Sequence, residues 1–324
     1  MKVLVTGGAG YVGGELVDEL LEAGHEVRGL DVLLHGQDDV AARLDSLGVE
    51  LMRGDIRDDD LRRRALEGVD AVVHLAAIVG DPACGRDPEL SNAVNVEGTA
   101  SLVADARAAG VERFLFASTC SNYGRMADPT VPIDETGELR PVSLYAEQKV
   151  GMEKALLEGD QNGTAATCLR FATVYGVAPR MRFDLTVNEF TRDLWADREL
   201  EVFGEQFWRP YVHVRDAGRA VLRVLDEPGG ALAGEVFNVG RSGENYTKKD
   251  LVEEIGRRLP GRGEVRYVRR DEDPRDYKVS FDKVRERLGF ETTMTVPDGI
   301  AEVAQALDAG RFPDPFDRRY RNID

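Results

Sequence analysis

Residues 2–14 read Lys2-Val3-Leu4-Val5-Thr6-Gly7-Gly8-Ala9-Gly10-Tyr11-Val12-Gly13-Gly14. The first five, with the apolar Val3-Leu4-Val5 at their centre, read as a short buried strand, and a cluster of glycines breaks it. From Gly14 the apolar positions Leu16, Val17, Leu20 and Leu21 recur at helical spacing until Gly24 ends them. Gly7, Gly10 and Gly13 therefore stand at three-residue intervals where a strand turns into a helix. Glycine there permits a tight turn and lets the backbone approach a pyrophosphate seated at the helix N-terminus. A second strand, residues 26–30, finishes at Asp31, where a carboxylate can accept hydrogen bonds from both hydroxyls of an adenosine ribose. No Arg or Lys follows immediately to receive a ribose phosphate. The expectation is NAD rather than NADP.

Working outward, strand-like runs follow at 49–52, 71–75, 113–117 and 165–169, with helix-like stretches at 59–66, 91–109 and 143–158 between them. Strands alternating with helices imply an α/β, doubly wound parallel sheet of Rossmann type. After Gly176 the rhythm changes. Residues 183–195 read as helix, 209–214 as strand, 216–225 as helix, 236–239 as a last core strand and 248–259 as another helix, before a polar tail rich in Arg and Asp. The expected division is an NAD-binding domain over 1–176, rejoined by about 209–240. A smaller C-terminal substrate lobe is expected from 177–208 and 241–324.

The 324 residues are 42% hydrophobic and 31% charged, the composition of a globular chain rather than a disordered one. A net charge of −17 argues against nucleic-acid binding, which rests on basic patches, but leaves room for a locally basic pocket. Cys84, Cys120 and Cys168 show no CxxC spacing, so neither a disulfide framework nor a metal site is expected. No leader-like order precedes Val3, and no run approaches the ~20 apolar residues of a membrane span. A cytoplasmic location with no membrane partner is the expectation.

Thr6-Gly7-Gly8-Ala9-Gly10-Tyr11-Val12-Gly13 resembles the opening of the extended short-chain dehydrogenase/reductases, the sugar-nucleotide epimerase and dehydratase family, whose fingerprint is TGGxGxxG. The likeness continues in Gly54-Asp55-Ile56, His74-Leu75-Ala76-Ala77 and Asn95-Val96-Glu97-Gly98-Thr99. The resemblance implies that Asp55 and Ile56 flank an adenine and that Leu75, Ala76 and Ala77 line the dinucleotide channel. It also implies that Asn95 lies close by and that Tyr11 and Val12 belong to the cofactor loop. His74 reads as a packed strand histidine.

Tyr145 and Lys149 have the YxxxK spacing, and residues four apart share one face of a helix. A phenol titrates near ~10, and a neighbouring cation favours its anion, which is what a general base requires. Upstream, Ser118-Thr119-Cys120-Ser121-Asn122-Tyr123-Gly124 is similar to the family's S-S/T-x-x-x-Y-G segment. The resemblance implies that Thr119 hydrogen-bonds a substrate oxygen, that Tyr145 is the base and that Lys149 also holds the nicotinamide ribose. Members that eliminate water or decarboxylate usually carry Glu at the position of Ser121, and dehydratases add Asp at that of Cys120. Both carboxylates are missing, which tilts the reading to a nucleotide-sugar 4-epimerase. A thiol at 120 leaves a Cys120-assisted epimerase or dehydratase open, beside ketoreduction and, more remotely, a non-catalytic dinucleotide sensor.

Leu169-Arg170-Phe171-Ala172-Thr173-Val174-Tyr175-Gly176 is similar to the family's LRxxNxYG segment, with Thr173 in place of Asn, and Arg209-Pro210-Tyr211-Val212-His213-Val214-Arg215-Asp216 to its R-x-Y-I-H-V-x-D. The resemblance implies a nucleotide-diphosphate sugar gripped by Arg209, with Thr173, Asn188 and Arg275 as further contacts. Arg180 and Arg182 lie in the loop entering the second lobe. Asp273-Pro274-Arg275-Asp276 departs from the family's R-x-G-D. A homodimer packed through the 91–109 and 143–158 helices is the expected assembly.

Overall fold

The computed structural model describes residues 1–126, 128, 131–159, 161, 163–269 and 275–322. Six strands in the first half are β1 (Lys2–Thr6), β2 (Glu26–Asp31), β3 (Glu50–Arg53), β4 (Ala71–His74), β5 (Arg113–Thr119) and β6 (Ala165–Phe171). They form one sheet with β10 (Glu235–Val239), in the order β10-β6-β5-β4-β1-β2-β3. All of its pairings are parallel. Between them run α1 (Tyr11–Glu22), α2 (Asp38–Ser46), α3 (Asp59–Ala65), α4 (Asp81–Arg86), α5 (Pro88–Asn92), a π-helical turn (Ala93–Gly98), α6 (Thr99–Ala108) and α7 (Leu144–Leu157).

Strand side chains alternate between the two faces, and β1 shows the consequence. Val3 and Val5 join a core with Leu16, Val17 and Leu20 of α1, whereas Leu4 joins one with Leu102, Val103 and Ala106 of α6 and Met152 and Leu156 of α7. Each fully buried aliphatic side chain stabilises the sheet by about 1.5–3 kcal/mol, so a strand apolar on both faces belongs in the middle of such a layer. The strand order reverses between β1 and β4. Their C-terminal ends part there and leave the crevice in which such sheets receive ligands.

Outside that sheet lie β7 (Thr173–Tyr175), α8 (Thr186–Trp195), β8 (Glu199–Phe203), β9 (Trp208–His213), β11 (Asn245–Thr247), α10 (Lys248–Arg258), β12 (Glu264–Val268), α11 (Asp282–Leu288), which packs Val284 and Leu288 into the α1 core, and α12 (Val296–Asp308). Helix α9 (Val214–Leu225) returns to pack Ala220, Val221 and Val224 into the α1 core. The expected strand at 209–214 exists, but it pairs with β7 and β11 rather than with the large sheet. The helix expected from 183 begins at Thr186. Helices α11 and α12 occupy the tail that composition alone made look irregular. Thr295 and Asp298 cap α12 reciprocally, and Ile300, Val303 and Leu307 carry its buried stripe. Among the described residues, no helix is long and apolar enough to cross a membrane.

Candidate active site

The glycine loop turns at the C-terminal end of β1. Gly7 adopts φ +73°, and a Cβ there would lie 2.9 Å from the Ala76 backbone nitrogen. A Cβ on Gly13 would meet the Gly7 carbonyl at 2.0 Å, and one on Gly10 would meet it at 3.0 Å. Side chains are thus excluded where a phosphate would approach the first turn of α1, which suits the loop to a pyrophosphate. Val12, half-buried in that turn, packs against two cores. The Asp31 carboxylate, buried at the end of β2, accepts from Ala9 N at 3.0 Å and Leu33 N at 2.8 Å. Burial raises its pKa, and the two backbone donors work against that rise. A carboxylate has about four lone-pair sites, so both oxygens can still take ribose hydroxyls.

After β3, Ile56 is buried and Asp55 is half-buried, paired with Arg57 at 2.7 Å. That hydrogen bond holds the Asp55 carboxyl below its usual range. Leu75 N and Ala76 N donate to the Thr6 carbonyl and hydroxyl, fixing the strand exit, and Ala77 follows half-buried. His74 is hydrogen-bonded between Thr6 and Thr99, and burial pushes its pKa down to about 3, so it packs as a neutral ring. Asn95 turns its amide on Ile78 N, Ile78 O and Gln148, bracing the loop after β4.

Ser143 caps α7, and Tyr145 and Lys149 follow on its inward face. Lys149 is buried, donates to the Ala117 carbonyl at 2.7 Å and lies 5.9 Å from the Tyr145 ring centre. Burial lowers its pKa from 10.5 to about 8. Burial raises that of Tyr145, and Cys84 and Asp81 add to the rise while Arg182 opposes it. The phenol on its own is therefore held neutral, and further positive charge in the site is needed to make it a base. One turn on, Glu153 binds Arg170 and Ser118, locking the helix to β5 and β6. Thr119, at the end of β5, accepts from Ser121 N at 3.1 Å, which leaves its hydroxyl hydrogen to donate. Ser121 receives the Tyr277 hydroxyl at 3.3 Å.

Two residues expected in the cleft lie elsewhere. Cys120 is 1% exposed in the hydrophobic core, its thiol donates to the Arg170 carbonyl, and burial raises its pKa. Such a thiol is an inert packing group. Asn188 is wholly buried and occupied by the fold: it accepts from Gly176 N at 2.9 Å and donates to Arg182 O at 2.9 Å and the Tyr11 hydroxyl at 3.2 Å. Tyr11 in turn donates to Gly176 O at 2.7 Å. Thr173 is half-buried at the start of β7. Arg209 is buried with its guanidinium 5.4 Å from the Tyr277 ring centre. Arg275 pairs at 3.1 Å with Asp81, whose other oxygen receives the Ser143 hydroxyl. Asp273 and Pro274 lie outside the described residues. Sequence reasoning missed Asp81, Cys84 and Gln148. Only Gly80-Asp81-Pro82, with a proline in the first helical turn, marked the segment that carries them.

Residues 3–240 match the model of the NAD dependent epimerase/dehydratase family. The chain belongs to that family. It is an NAD-dependent enzyme of the extended short-chain dehydrogenase type. Relatives include a UDP-glucose 4-epimerase from Streptomyces lividans, 32% identical over 315 residues, covering 89% of this chain and 91% of the relative. A dTDP-glucose 4,6-dehydratase from Streptomyces niveus is also 32% identical, over 319 residues, 94% of this chain and 92% of that one. The crystal structure of the Thermus thermophilus UDP-glucose 4-epimerase in complex with NAD superposes with a TM-score of 0.83. It is 28% identical and covers 95% of this chain and 99% of its own. In this epimerase/dehydratase the glycine loop follows the C-terminal end of β1, Asp31 ends β2, and Lys149 of α7 is held against Ala117 of β5.

Proposed function

We propose that this protein is an NAD-dependent nucleotide-sugar 4-epimerase working through a transient 4-keto sugar. One observation carries the choice of reaction within the family. Thr119, at the end of β5, is followed by a core-facing thiol at 120 and a hydroxyl at 121. No carboxylate follows Thr119 at those two positions to drive elimination of water. NAD, when bound, supplies the acceptor and donor of hydride and adds positive charge to the site. Tyr145 takes the proton of the carbon 4 hydroxyl and later returns it, while Thr119 hydrogen-bonds the same oxygen. Lys149 favours the phenolate and holds the nicotinamide ribose, with Asp31 on the adenosine ribose and Gly7, Gly10 and Gly13 under the pyrophosphate. Arg209, whose planar fork matches an anion, grips the substrate diphosphate, with Arg275 and Thr173 beside it.

The assembly proposed is a homodimer. The outer faces of α6 and α7 expose Ala100, Ala104, Ala108, Gly151 and Ala155, small residues that let helices of two copies approach closely. Light scattering at micromolar concentration should give twice the chain mass.

The reaction test is incubation with UDP-glucose and dTDP-glucose in heavy water. An epimerase regenerates its cofactor every cycle, so conversion should proceed without added NADH and leave carbon 4 free of deuterium. Consumption of one NADH per product means ketoreduction, and loss of water from the sugar means dehydration. Either result removes the 4-epimerase reading.

A further inference from the structure

Arg180 belongs to the segment that leaves β7 for the second lobe. Pro179 beside it packs where a Gly14 side chain would project, at 3.4 Å, so Arg180 lies over the first turns of α1. The residue is 6% exposed. Its Nη2 donates to the Arg321 carbonyl at 3.2 Å, and its Nε is buried with no hydrogen-bond partner among the described residues. The charges around it do not neutralise it. Arg182 repels it, and Asp184 is already taken by both nitrogens of the Arg182 fork and by Asn322 N. Asp31 stands within electrostatic reach but accepts from Ala9 and Leu33. His35, the remaining titratable neighbour, is held neutral, its pKa pushed down to about 4 by burial and by Arg180 and Arg182. A buried cation without a partner costs several kcal/mol, and Arg180 itself is pulled down to about 10. Such a group suits a place where an anion arrives.

We propose that Arg180 grips the pyrophosphate of the dinucleotide, reaching it from the second-lobe entry segment that the C-terminal residues 320–322 hold in place. This rests on the NAD-binding reading above. Two details favour the cofactor over the substrate diphosphate. Arg180 faces Asp31 and His35, on the adenosine side, whereas Arg209 and Arg275 stand by Tyr277 and Asp81. A ribose phosphate is disfavoured because it would lie against the Asp31 carboxylate. The strap is explicit: Phe183 N donates to Tyr320 O at 2.8 Å, and Asn322 N to Asp184 at 3.0 Å.

The test titrates wild type, Arg180→Met and Arg180→Lys with NADH by fluorescence, with ADP-ribose and millimolar adenosine as competitors. A charge-assisted hydrogen bond contributes about 1.5–3 kcal/mol, which is roughly 10- to 100-fold in affinity. Arg180→Met should weaken NADH and ADP-ribose by that factor, leave adenosine within about twofold, and melt no lower than wild type. Arg180→Lys should recover part of the loss, since it keeps the charge without the fork. Undiminished NADH binding by Arg180→Met, or an equal loss for adenosine, overturns the proposal while the cofactor reading stands. Wild type that binds neither NADH nor ADP-ribose overturns both.

Discussion

Replacing Lys149 by Met should make the cofactor-free protein more stable while abolishing its activity. In the folded chain the ammonium is buried with one hydrogen bond, to Ala117 O, and loses its proton at about 8 instead of 10.5. That difference corresponds to about 3 kcal/mol of penalty on the charged form. The folded pKa lies below the unfolded one, so the unfolded chain binds more protons between pH 8 and 10.5, and wild-type stability rises with pH across that window. Below pH 8 the full penalty applies. Met has similar volume and no charge, and leaving Ala117 O without its donor takes back about 1 kcal/mol. The net gain should be about 2 kcal/mol at pH 7 and should vanish near pH 10. Urea unfolding of both proteins, stripped of cofactor, at pH 7 and pH 10 measures it. A variant less stable than wild type at pH 7, or a gain unchanged at pH 10, would refute the reasoning.

Tyr145→Phe should lower turnover at least ~100-fold while NADH binding by fluorescence stays as in wild type, because general base catalysis is worth that much. Cys120→Ala should keep activity within about threefold, since the thiol is 1% exposed in the core. Its unfolding free energy should fall by about 1 kcal/mol through lost packing, read by urea titration. Gly13→Ala should abolish NADH binding, because its Cβ would fall 2.0 Å from the Gly7 carbonyl and both atoms belong to the backbone turn.

The first half of the fold was legible because most of its strands carry short apolar runs and glycines or capping residues mark breaks between them. Strands β1, β2, β4, β5 and β6 follow from local composition alone. Helix α2 was missed because its buried stripe is only Val40, Ala41 and Leu44 among acidic and basic neighbours. Helix α12 was missed although Thr295-Val296-Pro297-Asp298 is a capping signature ahead of Ile300, Val303 and Leu307. The catalytic face was legible through the spacing of Tyr145 and Lys149. The inward turn of Cys120 was not, since the direction of a residue at a strand end depends on the turn that follows, here Cys120–Tyr123. Asn188 enters as a substrate contact only through the family resemblance. Its partners Tyr11 and Gly176 lie 177 and 12 residues away, and only the assembled chain brings them to it.

That amide also sets a rule for building chimeras. Asn188 and Tyr11 tie the first turn of the cofactor helix to the first helix of the second lobe through the Gly176 backbone. A donor lobe spliced in at residue 177 to change sugar preference keeps the recipient's Gly176, φ +109°, and must therefore bring an amide at 188. Without it the Gly176 N–H would lose its acceptor and the Tyr11 hydroxyl one of its two partners. The most permissive crossover falls after α8, where the recipient's own clasp is preserved.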